Sequence, residues 1–241
     1  MSQRTTAALF LDGFYDDRYP NFYITAARAP ETFRVCADGA LSVWEGWRER
    51  FGDHVAPDLV VGDFDSLADE ERALWESRGV VFDTTWAGIT DKDDTDGQLA
   101  LRAALNVGCV RFEFFGSLPK PGDYDVDHFF GNLFLLSEAR ARVGERTGFA
   151  ARLRDPRQSV TLVANRIVIA REGKNLNRVS LIPFGGVARV RRSEGLRWCL
   201  DRMTLGTERA NALRNEFLPD VAFCSVELET DSAPVVVVHN W

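Results

Sequence analysis

Short apolar runs separated by stretches with helical spacing fill the first half of the chain. Residues 7–11, 33–37, 59–61, 80–82 and 110–115 are brief and mainly apolar, as buried strands are. Between and after them, residues 40–50, 67–77, 98–106 and 128–142 carry apolar positions at helical spacing. Alternation of strand and helix predicts a mainly parallel sheet covered on both faces.

After Gly144 the pattern changes. A polar, arginine-rich connector is expected over 145–158, followed by β-like runs at 159–163, 167–170, 179–182, 187–190, 222–228 and 235–238. Long amphipathic helices are absent there, so a small antiparallel sandwich or roll is expected. The predicted organisation is an α/β domain over 1–150 and a β-sandwich-like domain over 155–241.

Composition narrows the function classes. With 241 residues and 45% hydrophobic content the chain can build ordinary cores, and a formal charge of −7 is the wrong sign for general binding to nucleic acid. The apolar run at 7–11 is too short for a signal peptide, and no stretch approaches the roughly 20 apolar residues of a membrane span. Cys36, Cys109, Cys199 and Cys224 form no C-x-x-C pair and read as reduced core thiols. The expectation is a cytoplasmic protein with no nucleic-acid or membrane partner.

Two acidic clusters carry the chemistry. Pro57 to Ser66 runs from a buried strand through Gly62 into Asp63-Phe64-Asp65, at a strand's carboxyl end, where open α/β sheets place their ligands. Were the extended conformation to continue, Asp63 and Asp65 would project to one side and Phe64 toward the core. The second cluster, Asp91-Lys92-Asp93-Asp94-Thr95-Asp96, precedes a helical pattern. Asp93 and Asp96 can share a face there, and Thr95 can cap the helix or meet a phosphate. Alone, each is ordinary turn or helix-start chemistry. Brought together, the carboxylates would repel one another unless a cation such as magnesium intervened.

The ordered segments Cys36-Ala37-Asp38-Gly39-Ala40, Gly62 to Ser66, Asp93 to Asp96, Asp127 to Leu133 and Glu194 to Trp198 closely resemble the motifs of thiamine pyrophosphokinases, over nearly the whole chain. The resemblance implies transfer of diphosphate from ATP to the thiamine hydroxyl, with magnesium, by a homodimer whose active-site cleft lies at the subunit interface. It implies that Asp63, Asp65, Asp93 and Asp96 hold magnesium and phosphates, with Lys92 and Thr95 beside them. By the same resemblance Asp38 and Gly39 line the nucleotide side, and Asp127, His128 and Asn132 form an inner wall. Trp198 and Asn215 would serve the acceptor; a buried packing role is the other reading of Trp198. The chain departs from the family pattern at Lys92, Asp125 and Arg214, where glutamine, arginine and serine are usual. A related pyrophosphokinase acting on another alcohol, such as a hydroxymethyl pterin, or an inactive nucleotide- or metal-binding homologue would keep the same aspartates.

Overall fold

In the computed structural model, which describes residues 5–52, 55–64, 67–86, 94–120, 126–144 and 146–241, the chain divides into two compact units, Met1–Pro156 and Arg157–Trp241. The apolar runs of the first unit become β1 (Thr6–Phe10), β2 (Thr32–Ala37), β3 (Leu59–Val61), β4 (Val81–Asp83) and β5 (Arg111–Phe115), joined by β6 (Ala150–Asp155). All pair in parallel, in the order β6-β5-β1-β2-β3-β4. The helices are α1 (Pro20–Arg28), α2 (Leu41–Phe51), α3 (Asp69–Ser77), α4 (Asp96–Asn106) and α5 (Val126–Val143).

Alternation along the strands sorts their side chains. Ala8, Phe10, Cys36, Val60 and Phe115 share a core with Tyr23 and Ile24 of α1, Trp44 and Trp47 of α2 and Trp75 of α3. Phe10 is its aromatic centre, with ring centroids 4.7 Å from Trp44, 5.7 Å from Trp47 and 5.0 Å from Phe115. Helix α4 crosses β1, β2 and β3, and α5 runs beside α4 and β6.

Two elements of this unit escape the sequence pattern. Helix α1 buries only Tyr23, Ile24 and Ala27, a narrow stripe, and its start is set by Pro20 in the first turn. Strand β6 lies where a connector is expected: Ala151 and Leu153 are buried, while arginines alternate with them and disguise the strand.

The second unit comprises β7 (Gln158–Val163), β8 (Arg166–Ala170), β9 (Arg178–Pro183), β10 (Ala188–Glu194), β11 (Thr204–Leu205), β12 (Asn215–Glu216), β13 (Phe223–Leu228) and β14 (Val235–Asn240). Within it the strand orders are β12-β9-β14-β7 and β11-β10-β13-β8, with antiparallel pairing. Valines and leucines from both sheets meet in one core. At its edge His239 is buried between the rings of Phe217 and Trp241, and its Nε2 lies 2.8 Å from Asn177 Oδ1. Burial lowers the His239 pKa to about 4. The ring is therefore neutral, with Nε2–H donating to Asn177.

The cysteines are free, but Cys199 is exposed, unlike the core thiols Cys36, Cys109 and Cys224. Cys199 lies in the irregular stretch after β10, where no sheet can enclose it. Among the described residues, no helix is long and apolar enough to cross a membrane.

Candidate active site

The carboxyl ends of β1, β2 and β3 gather acidic side chains, and glycines let them approach. Asp38 starts a 3-10 turn (Asp38–Ala40) directly after β2 and is buried. Its Oδ2 accepts the backbone N–H of Phe64 at 2.8 Å, tying the end of β2 to the loop after β3. Gly62 makes this approach possible: at its φ of +151° an added Cβ would stand 2.5 Å from Asp38 Cβ. Gly39 does the same beside Asp12, where a Cβ would lie 2.5 Å from Asp12 Oδ2. Burial, reinforced by the charges of Asp38 and Asp12, pushes the Cys36 thiol well up, so this sulfur stays protonated and inert.

The extended conformation expected after β3 does not continue. Gly62 and then Phe64, at φ +57°, take up left-handed or similarly restricted backbone geometry, so strict alternation ends before Asp63. Phe64 nevertheless packs against the first unit's core, edge-on to Phe82 at 5.5 Å. The exchange is local: the Asp38 hydrogen bond supports a backbone turn that alternation alone would not produce. Asp63 is half-buried beside it.

At the second acidic cluster, Thr95 is the N-cap of α4. Its Oγ1 accepts the Gln98 N–H at 3.3 Å, and the Gln98 side chain accepts the Thr95 N–H at 3.0 Å. Asp96 is the first residue of the helix. Asp94 turns the other way and holds both terminal nitrogens of Arg102, one of them at 2.8 Å. Asp65, Lys92, Asp93 and Asp125 lie outside the described residues.

Asp127 and His128 are exposed on the first turn of α5, while Asn132, one turn further on, donates from Nδ2 to the Ser117 carbonyl at 2.9 Å. On the same helix Val126, Phe130 and Phe134 are exposed at four-residue spacing.

Two charged residues that the sequence patterns do not single out also stand here. Lys120 Nζ lies 2.6 Å from Asp12 Oδ1, joining the loop after β5 to the loop after β1. The signal was present in the apolar run ending at Leu11 followed by Asp12-Gly13, the same strand, acid and glycine sequence that marks the end of β2 at Ala37-Asp38-Gly39.

In the second unit, Trp198 is 51% exposed, which excludes a buried packing role. Asn215 is buried and clasps its backbone: Oδ1 accepts the Trp198 N–H at 3.1 Å and Nδ2 donates to the Trp198 carbonyl at 2.7 Å. The Arg197 guanidinium sits 5.0 Å from the indole and pairs with Glu216. Arg214, at φ +57°, is exposed, with its backbone N–H donated to Ser180 Oγ at 2.9 Å.

Among the described residues no three His, Cys, Asp or Glu side chains are close enough to hold a metal ion. The donors at the strand ends are carboxylates, the chemistry of a hard cation that keeps water and substrate oxygens in its shell.

Residues 27–145 match the family model for the thiamin pyrophosphokinase catalytic domain. The chain is similar in structure to thiamine pyrophosphokinase from Bacillus subtilis, with 20% identity, 98% of each chain covered and a TM-score of 0.72. It is similar also to yeast thiamin pyrophosphokinase, with 17% identity, 100% of this chain and 87% of that one covered and a TM-score of 0.74. A thiamin pyrophosphokinase family protein from Enterococcus faecalis has 23% identity, coverage of 98% and 99%, and a TM-score of 0.66. At these identities the structural likeness is one of fold. No curated protein matches the chain significantly.

Proposed function

This chain belongs to the thiamine pyrophosphokinase family and is a thiamine diphosphokinase, and from that premise we propose how its residues divide the work. The first unit is the nucleotide-binding domain. Asp63 and Asp96, with Asp65 and Asp93, would hold magnesium against the ATP phosphates, and Asp38, Gly39, Lys92 and Thr95 would line the nucleotide side. Magnesium would neutralise phosphate charge and polarise the β-phosphorus. The thiamine hydroxyl oxygen bonds to that phosphorus, the bond to the α,β-bridging oxygen breaks, and AMP departs. The hydroxyl proton passes to a neighbouring carboxylate.

Asp127, His128 and Asn132 form the inner wall in this reading, with Asn132 fixing the β5 loop through Ser117. The second unit, read as a sandwich, offers the exposed Trp198 ring to the acceptor, and Asn215 acts by setting that ring's backbone. The chain works as a homodimer; the exposed Val126, Phe130 and Phe134 stripe on α5 supports a partner surface. A cytoplasmic location fits the absence of a membrane-spanning helix among the described residues.

The observation that carries this reading is the family match over 27–145, within which glycines gather carboxylates at the ends of adjacent strands. AMP release from ATP, measured with thiamine, with a hydroxymethyl pterin and without acceptor, tests it. Release that requires thiamine and stops on magnesium chelation is expected. Release with the pterin alone would reassign the acceptor, and none with any alcohol would make the chain a binding homologue.

A further inference from the structure

The parallel sheet reverses its direction of growth between β1 and β5: from β1 the chain builds outward through β2, β3 and β4, whereas β5 and β6 lie on the other side. Loops leaving the carboxyl ends of two such strands diverge to opposite faces and open a crevice, the usual ligand site of open α/β sheets.

Here both loops are locked into one platform. Leu11 N–H donates to the Phe115 carbonyl at 2.9 Å and Phe14 N–H to the Leu118 carbonyl at 2.7 Å. A Cβ at Gly13 would stand 2.1 Å from Gly116 O, and one at Gly116, φ +64°, would stand 2.3 Å from Leu11 O. Tyr15 hydroxyl caps the Leu11 carbonyl at 2.8 Å, and Asn132 holds Ser117. Nothing in a catalytic role limited to the acidic clusters requires this lock.

What the platform carries is the Lys120–Asp12 pair, each side chain 47% exposed. So open a pair is weakly held and easily exchanged. Asp12 in turn lies against Gly39, next to Asp38. Asp12 and Asp38 together make the neighbourhood acidic. A polyphosphate entering it needs a cation supplied by the protein as well as by metal.

We propose that Lys120 is a polyphosphate-binding residue, its ammonium exchanging Asp12 for the phosphate oxygens of ATP at the carboxyl ends of β1 and β5, while Asp12 holds it in place when the site is empty. This deepens the diphosphokinase reading and rests on it for the identity of the nucleotide. A charge-assisted contact of this kind is expected to govern affinity for the donor and leave the acceptor untouched.

The test is calorimetric binding of ATP and of inorganic tripolyphosphate, without acceptor, to the full chain. Lys120→Met should weaken both by about tenfold or more, Lys120→Arg should restore most of the loss, and Asp12→Asn should bind as tightly as the parent or more tightly. In turnover, Lys120→Met should raise KM for ATP by about the same factor while KM for thiamine stays within about twofold. Unchanged binding by Lys120→Met would overturn the proposal, as would a loss in Asp12→Asn equal to that in Lys120→Met. A parent protein that binds tripolyphosphate through Lys120 but releases no AMP with thiamine would leave Lys120 assigned and defeat the functional reading instead.

Discussion

Asn215, a proposed site residue, would act without facing a ligand. Its amide spends both polar ends on the backbone of Trp198, so the exposed indole is held by a buried clasp. Trp198→Ala should therefore lower kcat/KM for thiamine by about tenfold or more with no change in melting temperature, since little packing is lost. Asn215→Ala should reproduce that loss and also cost about 1–3 kcal/mol, because three backbone groups, the Trp198 N–H and carbonyl and the Glu216 N–H, lose their partner. Steady-state kinetics beside thermal denaturation separates the pair. The exposure of Arg214 leads to the opposite expectation for its neighbour: Arg214→Ser should leave kcat/KM for thiamine within about twofold. A gain of tenfold would instead mean that the guanidinium repels the thiazolium.

Among the elements, α4 was readable from its start signal: Thr95 and Gln98 form the reciprocal cap that a threonine followed three residues later by glutamine announces. Thr95→Ala should destabilise the first unit by about 1 kcal/mol in urea denaturation. Gly116→Ala should cost considerably more, because both its φ and the Leu11 carbonyl oppose a side chain; a fall of less than about 1 kcal/mol would show that the two loops are not locked. The first-unit strands at 33–37, 59–61 and 110–115 were legible because their apolar residues are concentrated in short runs, interrupted only at Arg34, Arg111 and Glu113. Strand β6 was not, since Arg152 and Arg154 engage Glu113 on one side while only Ala151 and Leu153 enter the core. The loop after β3 defeated a period-two reading for another reason: a tertiary hydrogen bond from Phe64 to Asp38, separated by 26 residues, sets its backbone. No local pattern encodes that bond, and the same holds for the pairing of Lys120 with Asp12 across 108 residues.

At the scale of the whole molecule, the two units respond to different variables. His239 is neutral in the folded second unit with its pKa lowered from 6.5 to about 4, so its contribution is fully present above pH 6.5 and is lost as pH falls toward about 4, where the unfolded chain takes up the proton first. Denaturation followed at about pH 7 and about pH 4.5 should show a decline of about 2 kcal/mol attributable to this group, allowing for partial solvent access, and His239→Asn should flatten it. An equal decline in the variant would assign the effect to other groups. The tryptophans divide between the units as well. Trp44, Trp47 and Trp75 are enclosed in the first, whereas Trp198 stands in solvent in the second, and Trp241 is half-buried there. The protein thus carries its own two-colour optical gauge: the enclosed indoles emit at short wavelength and shift red only when the first unit unfolds, while the Trp198 component is open to iodide quenching in the native state. A bound thiazolium stacked on that ring would shield it from iodide, so in a variant with Trp86→Phe and Trp241→Phe the accessible fraction of the emission reads acceptor occupancy without any label.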